Sequence, residues 1–244
     1  MQIKDNIIFI TGSSDRVGKT IALKLARAGG KIILHYHRNR EKATKTAGRI
    51  ASSGIPPLIV QGNIALEKDW LRMKKEIMAV YGRIDVLINN AAIFYKTPLF
   101  RTSGRDWNNF MDINLKSIFW AGKIFGETMF KQKSGRIINI ADVAGETIWP
   151  GYIPYCVSKA GVFALTRGLA KALAPHVLVN CIAPGTVMLA ESYDNDEEQA
   201  LISRTPLKRI GTPEDIANAA AFLIEGGDFI TGTTIKVDGG RSLT

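Results

Sequence analysis

Only two cysteines occur in 244 residues, too few for a disulfide framework, so a secreted disulfide scaffold is excluded. No run of about 18 apolar residues is present, which argues against a transmembrane helix. The opening Met1-Gln2-Ile3-Lys4-Asp5-Asn6 leads straight into an apolar strand-like run, with no signal-peptide core or cleavage site. A soluble, cytoplasmic protein with no membrane partner is the expectation. No low-complexity linker divides the chain, which reads as one domain over residues 1–244. No metal-ligand spacing stands out, and no metal is expected.

Acids are also scarce in one place. The net charge is +10, from 32 Lys+Arg against 22 Asp+Glu. Between Arg16 and Arg49 the only acid is Glu41, whereas acids crowd Glu191-Ser-Tyr-Asp-Asn-Asp-Glu-Glu198. A basic balance fits a solvated surface, a nucleic acid or an anionic small molecule. The local excess near the N-terminus points to something phosphorylated.

What is there is an alternation. Short apolar runs, Ile7-Ile8-Phe9-Ile10 first among them, are separated by stretches of helical period. Strands are expected at 7–10, 32–34, 58–60, 84–88, 136–140, 177–182 and 234–238. Helices are expected at 17–28, 42–53, 67–81, 105–131, 152–174 and 213–224, the last capped by Thr212 with Pro213 behind it. Seven continuous apolar strands between helices predict an α/β fold, a Rossmann-type doubly wound parallel sheet with helices on both faces. Residues 186–206 read as a polar loop beyond a strand end, placed to cover a substrate.

The first strand feeds Thr11-Gly12-Ser13-Ser14-Asp15-Arg16-Val17-Gly18 and then a helix. Glycine permits the tight turn, and helix N-terminal amides favour a pyrophosphate. Glycines also occur in ordinary strand-to-helix turns, so the position after the first strand carries the weight. The second strand ends in His35-Tyr36-His37-Arg38, where an NAD site places an acid for the ribose hydroxyls. None is here, and the Arg38 fork suits a 2′-phosphate, so NADP(H) is the expected cofactor. The histidines can equally cap the strand.

Tyr155-Cys-Val-Ser-Lys159 opens a long helix and puts Tyr and Lys on one face. A free tyrosine titrates near 10, and a nearby ammonium lowers that value, which suits a proton carrier beside a hydride transfer. Asn89-Asn90-Ala91-Ala92, Asp142 and Pro184-Gly185 follow strand ends, on the rim where such folds bind ligands. Asn114 sits in an apolar helix interior, a place that asparagine disfavours.

Together, Thr11-Gly12…Gly18, Asn89-Asn90-Ala91, Asn114, Tyr155…Lys159, Pro184-Gly185 and Val237-Asp238-Gly239-Gly240 resemble the classical short-chain dehydrogenase/reductase family over the whole chain. That family uses an Asn, Ser, Tyr, Lys tetrad. Asn114, Tyr155 and Lys159 match it, but Asp142 stands where the Ser lies. Arg16 stands where the glycine pattern has another Gly. Both departures resemble the pteridine reductase branch, as do His35-Tyr36-His37-Arg38 and Asn89-Asn90-Ala91-Ala92-Ile93-Phe94-Tyr95.

The resemblance implies a catalytic set of Asp142, Tyr155, Lys159 and Asn114. It implies cofactor contacts from Gly12, Ser14, Arg16, Val17, Gly18, His35, Tyr36, His37, Arg38, Asn63, Ile64, Asn90, Ala91, Ala92, Ile140, Tyr155, Lys159, Pro184, Gly185 and Thr186. Substrate contacts are implied for Arg16, Phe94, Asp142 and Tyr155, with a pterin stacked on Phe94. Thr186-Val187-Met188 does not keep the branch's serine. A homotetramer is implied, consistent with apolar Phe119, Trp120, Phe125, Phe163 and Leu165 on the two long helices.

The chemistry agrees with that branch. An ionised Asp142 would repel the oxyanion of ketone reduction, whereas reducing a ring C=N requires protonating a nitrogen. The expected activity is NADPH-dependent reduction of a dihydropterin or dihydrofolate. The alternatives are an NADPH-dependent reductase of 3-oxoacyl thioesters and a non-catalytic NADP(H)- or nucleic-acid-binding protein. The intact Asn114, Tyr155 and Lys159 set argues against both non-catalytic binding readings, and no nucleic acid partner is expected.

Overall fold

The computed structural model describes residues 1–189 and 194–244. Seven strands form one parallel sheet: β1 Ile7–Ile10, β2 Lys31–Tyr36, β3 Leu58–Gln61, β4 Val86–Asn89, β5 Gly135–Ile140, β6 Val177–Pro184 and β7 Thr234–Val237. Their spatial order is β3-β2-β1-β4-β5-β6-β7. The order reverses between β1 and β4, so the crevice beyond their C-terminal ends is the place where such a sheet accepts a ligand. The expected fold class is what the chain forms.

The helices are α1 Arg16–Arg27, α2 Arg40–Ala51, α3 Glu67–Tyr81, α4 Gly104–Phe110, α5 Ser117–Lys131, α6 Ala144–Thr147, α7 Ile153–Leu173, α8 Asn195–Ser203 and α9 Pro213–Glu225. Alternate strand residues serve the two faces. Ile8, Ile10, Ile32 and Leu34 pack with α1, α2 and α9, while Ile7, Phe9 and Ile33 pack with α3 and α5. Burial on both sides is why the strands read as unbroken apolar runs. Each such side chain contributes about 1.5–3 kcal/mol of transfer free energy. Among the described residues no helix is long and apolar enough to cross a membrane.

Two expected elements differ. The single helix at 105–131 is interrupted by a π-helical segment, Met111–Lys116, between α4 and α5. Asn114 lies in it, which resolves the conflict of an asparagine in an apolar helix. The loop at 186–206 contains α8, started by a capping box in which Asp194 and Glu197 bond each other's backbone amides. The crowded acids Asp196, Glu197 and Glu198 are its first turn, where the helix dipole favours negative charge. Residues 190–193 of that loop lie outside the described residues.

Of the apolar residues named for subunit contact, Phe125 and Phe163 are buried in the core, while Phe119 is exposed on α5. Trp120 lies under the Lys123 ammonium, 5.0 Å from the ring centroid.

Candidate active site

The turn after β1 is held from below. Gly12 has φ +63, a conformation that L side chains rarely adopt. A Cβ on Gly18 would lie 2.5 Å from the Gly12 carbonyl oxygen, so the start of α1 approaches the turn as closely as backbone allows. Asn90 Nδ2 donates to the carbonyl of Thr11 at 2.9 Å, and Thr11 Oγ1 accepts from the amides of Asn90 and Ala91. Asp15 caps α1 by accepting from the Arg16 amide at 2.9 Å. Arg16 itself has φ +51, the left-handed conformation that a glycine would adopt without strain.

His35 is buried in this arrangement. Its Nδ1 accepts from the Gly12 amide at 3.0 Å, and its Nε2 lies 3.0 Å from the Gly62 carbonyl. The His35 amide donates to Ser13 Oγ, and the Ser13 amide donates back to the His35 carbonyl. Both ring nitrogens are therefore taken by the fold, and His35 supports the glycine turn from beneath. An Nδ1 that accepts from an amide must be unprotonated, so Nε2 carries the ring proton. Burial pulls the imidazole from its usual 6.5 down to about 4.

A cleft of about 690 Å³ opens above the switch point. Gly12, Arg16, Val17, Gly18, Asn90, Ala91, Ala92 and Phe94 line one part of it. Ile140, Asp142, Tyr155, Lys159, Pro184, Gly185 and Thr186 line the rest. The other expected cofactor residues lie off its wall. The Ser14 carbonyl accepts from Thr46. Tyr36 is half-buried, and its carbonyl accepts from the Gly62 amide, while His37 and Arg38 are exposed beyond β2. Asn63 Oδ1 accepts from the Ala65 amide, and the buried Ile64 gives its carbonyl to Trp70 Nε1.

Within the cleft, Tyr155 Oη donates to Asp142 Oδ2 at 2.7 Å. The other carboxylate oxygen accepts from the Ala144 amide at 2.8 Å, which fixes its orientation. Lys159 Nζ donates to the Ile140 carbonyl at 3.0 Å and lies 5.7 Å from the centroid of the Tyr155 ring. Asn114 Oδ1 accepts from the Ile93 amide at 2.9 Å, and its Nδ2 donates to the Ile93 carbonyl and to Ser158 Oγ. Ser158 Oγ in turn donates to the Tyr155 carbonyl at 2.6 Å. Asn114 thus ties the segment before Phe94 to the helix that carries Tyr155.

Burial raises the Asp142 carboxyl above the usual carboxylate range. Burial first, and the Asp142 charge second, push the Tyr155 phenol well above 10. Burial also lowers the Lys159 ammonium. The expected lowering of the tyrosine by Lys159 is therefore corrected: in the free protein the carboxylate and the dry surroundings outweigh the ammonium. Tyr155 is held as a neutral proton donor.

The sequence reading also missed an aromatic wall. Phe94 stacks on Tyr152 with centroids 4.8 Å apart and planes 3° from parallel. It meets Tyr155 edge-on at 4.8 Å, and Trp149 completes the group. Trp149-Pro150…Tyr152 just before α7 was the available signal, but pairing it with Phe94 requires the fold.

A glycine turn at a helix N-terminus and a cleft of this size fit a nicotinamide dinucleotide. Residues 12–242 match the family described as enoyl-(acyl carrier protein) reductase. The chain belongs to the short-chain dehydrogenase/reductase family and is an oxidoreductase. It is 35% identical over 235 residues to the 3-oxoacyl-(acyl-carrier-protein) reductase FabG of Staphylococcus epidermidis, covering 95% of this chain and 96% of that one. It is 38% identical over 237 residues to the 3-oxoacyl-(acyl-carrier-protein) reductase of Synechocystis, covering 96% of each. A structure assigned as a short-chain alcohol dehydrogenase from Sinorhizobium meliloti superposes with a TM-score of 0.93 at 28% identity, over 99% of this chain and 98% of that one. The names of the two reductases match the thioester alternative, and neither carries the expected pteridine reductase branch.

Proposed function

We propose that this chain reduces a ring C=N bond in a flat heteroaromatic substrate of the dihydropterin or dihydrofolate kind, using NADPH. The observation that carries this reading is the 2.7 Å bond from Tyr155 Oη to Asp142, a carboxylate at the position where the resemblance to the family tetrad implies a serine. The bound dinucleotide supplies the hydride. Protonating Asp142 reverses the bond: the acid then donates to Tyr155 Oη, and the phenol proton is free to move to a ring nitrogen. Tyr155 recovers its proton from Asp142, and Asp142 from solvent. In this reading Lys159 would orient the nicotinamide end, Arg16 and Val17 would hold the pyrophosphate, and Asn90 keeps the glycine turn in place beneath it. The aromatic wall around Phe94 suits a flat ring.

A second reading, reduction of a 3-oxoacyl thioester, is favoured by the 35–38% identity to reductases of that name. NADPH oxidation with dihydropterins, dihydrofolate and acetoacetyl thioesters separates the two, in the wild type and in Asp142→Ser. The proposed reading expects dihydropterin turnover that falls roughly 10²-fold or more in Asp142→Ser, the range for lost acid–base catalysis. Wild-type turnover of acetoacetyl thioesters with no dihydropterin activity overturns it in favour of the second. As part of the same proposal the chain assembles as a homotetramer, through the faces of α5 and α7 that expose Phe119 and Val157. Light scattering at micromolar concentration tests this, and a monomer mass refutes it.

A further inference from the structure

Two guanidiniums, Arg204 and Arg241, line the same cleft as Asp142 and Tyr155. Neither pairs with a carboxylate among the described residues. The nearby charges are already committed. Arg209 pairs with Asp215 at 3.1 Å, and Lys236 pairs with Glu146. Asp238 spends its two oxygens on the amides of Gly240 and Ser242, at 3.0 and 2.8 Å.

The fold forces the two arginines onto one lip. Thr244 Oγ1 bridges the carbonyls of Arg204 and Arg241 at 3.0 and 3.1 Å. The Leu207 amide donates to the Gly239 carbonyl at 3.1 Å. A Cβ on Gly239 would lie 2.9 Å from Thr205 Cγ2, and one on Gly240 the same distance from Pro206 Cγ. The segment after α8 and the turn after β7 therefore pack without a gap. Burial, with the Arg204 charge behind it, lowers the Arg241 guanidinium. Two like charges held together without a counter-charge are unfavourable unless an anion joins them.

Their place on the sheet says which anion. Along the C-terminal rim the phosphate turn follows β1, Asp142 follows β5 and Arg241 follows β7, at the far edge. The arginines thus lie across the reacting carboxylate from the cofactor's phosphates. Apolar Val187, Met188 and Leu201 share that wall.

We propose that Arg204 and Arg241 form an anion subsite for a charged tail on the substrate, a carboxylate or a phosphate ester, distal to the group that is reduced. The inference rests on reading the cleft as a reductase site. Guanidinium forks suit either anion, and the apolar residues between suit the linker.

The test is calorimetric binding to protein saturated with NADP+, using two pairs of ligands. Folate and biopterin share a ring, and only folate carries carboxylates. Acetoacetyl-CoA and its neutral N-acetylcysteamine thioester share an acyl group, and only the former carries phosphates. In at least one pair the anionic member should bind about tenfold tighter or better, the gain from one charged hydrogen bond. Arg204→Gln with Arg241→Gln should abolish that ratio, and salt should reduce it in the wild type, which covers a variant that fails to fold. The pair that shows the preference identifies the tail. Equal affinities within both pairs, no binding of either pair, or a preference that survives the double variant overturns the proposal. Dihydropterin turnover without a tail preference removes this subsite and leaves the proposed function standing. A tail preference without dihydropterin turnover does the reverse.

Discussion

Acid should loosen this protein through one residue. His35 is neutral in the fold because Nδ1 must accept from Gly12, and burial lowers its pKa from 6.5 to about 4. The hydrogen bond to the Gly62 carbonyl opposes the lowering and Asp69 opposes it more weakly, while His37 and Arg72 add to it. The unfolded chain takes up the proton near 6.5, and the folded chain refuses it until about pH 4. A folded pKa below the unfolded one means stability that is complete above 6.5 and lost as pH falls towards 4. The difference corresponds to about 3 kcal/mol, a large share of a typical 5–15 kcal/mol. Protonation also sets an N–H against the Gly12 N–H, so the turn should yield first. Urea unfolding at several pH values, for wild type and His35→Asn, measures the effect. The variant loses the edge contact with Phe9, whose ring centroid is 6.3 Å away, so it should be less stable at pH 7. Its stability should nevertheless fall about 3 kcal/mol less than that of the wild type between pH 7 and pH 4. Parallel curves would refute the reasoning.

Tyr155→Phe keeps the ring contacts and removes the proton, so turnover should drop roughly 10²–10⁴-fold while NADPH affinity, read by fluorescence titration, stays within a few-fold. Because burial raises Asp142 and proton delivery needs its acid form, kcat for a dihydropterin should decline as pH rises through that raised value. The declining limb should vanish from the residual activity of Asp142→Ser, and an unchanged limb would assign it elsewhere. Arg38→Asp, at an exposed position beyond β2, should weaken NADPH by about tenfold or more while sparing NADH. Equal losses for both cofactors in a titration would count against a 2′-phosphate contact there.

The fold was legible wherever one stretch of sequence carries its own answer. Ile7-Ile8-Phe9-Ile10 reads as a buried strand because both faces are apolar, and α3 ends at Gly82, whose φ is +67. Tyr155 and Lys159 were legible because helical spacing places them together. Features that depend on distant partners were not. Asn114 sits in a π-helical segment and pairs with Ile93, 21 residues earlier in the chain. The support role of His35 depends on Gly12 and Gly62, and the Tyr155 pKa on the burial of Asp142. Arg204 and Arg241 come together only through the closing turn. The start of α8 is a different case, because Asp194…Glu197 is a local capping signal that the acidic run obscured.

The π-helical segment at Met111–Lys116 acts as a phase shifter. It holds one residue more than an α-helical path would, and each residue advances an α-helix by about 100°. Residues before it and after it are therefore geared to different walls of the protein. Upstream, Phe110 points into the group around Tyr155; downstream, Phe125 packs on Phe9 at 5.3 Å. Straightening the segment into an α-helix with every residue kept would swing everything beyond by roughly a quarter turn, so that Phe125 leaves the core. Removing one residue at the same time would restore the phase and cost only the bulge that brings Asn114 to Ile93. In this stretch the number of residues, as much as their identity, is what keeps the end facing Tyr155 and the end facing the core in register.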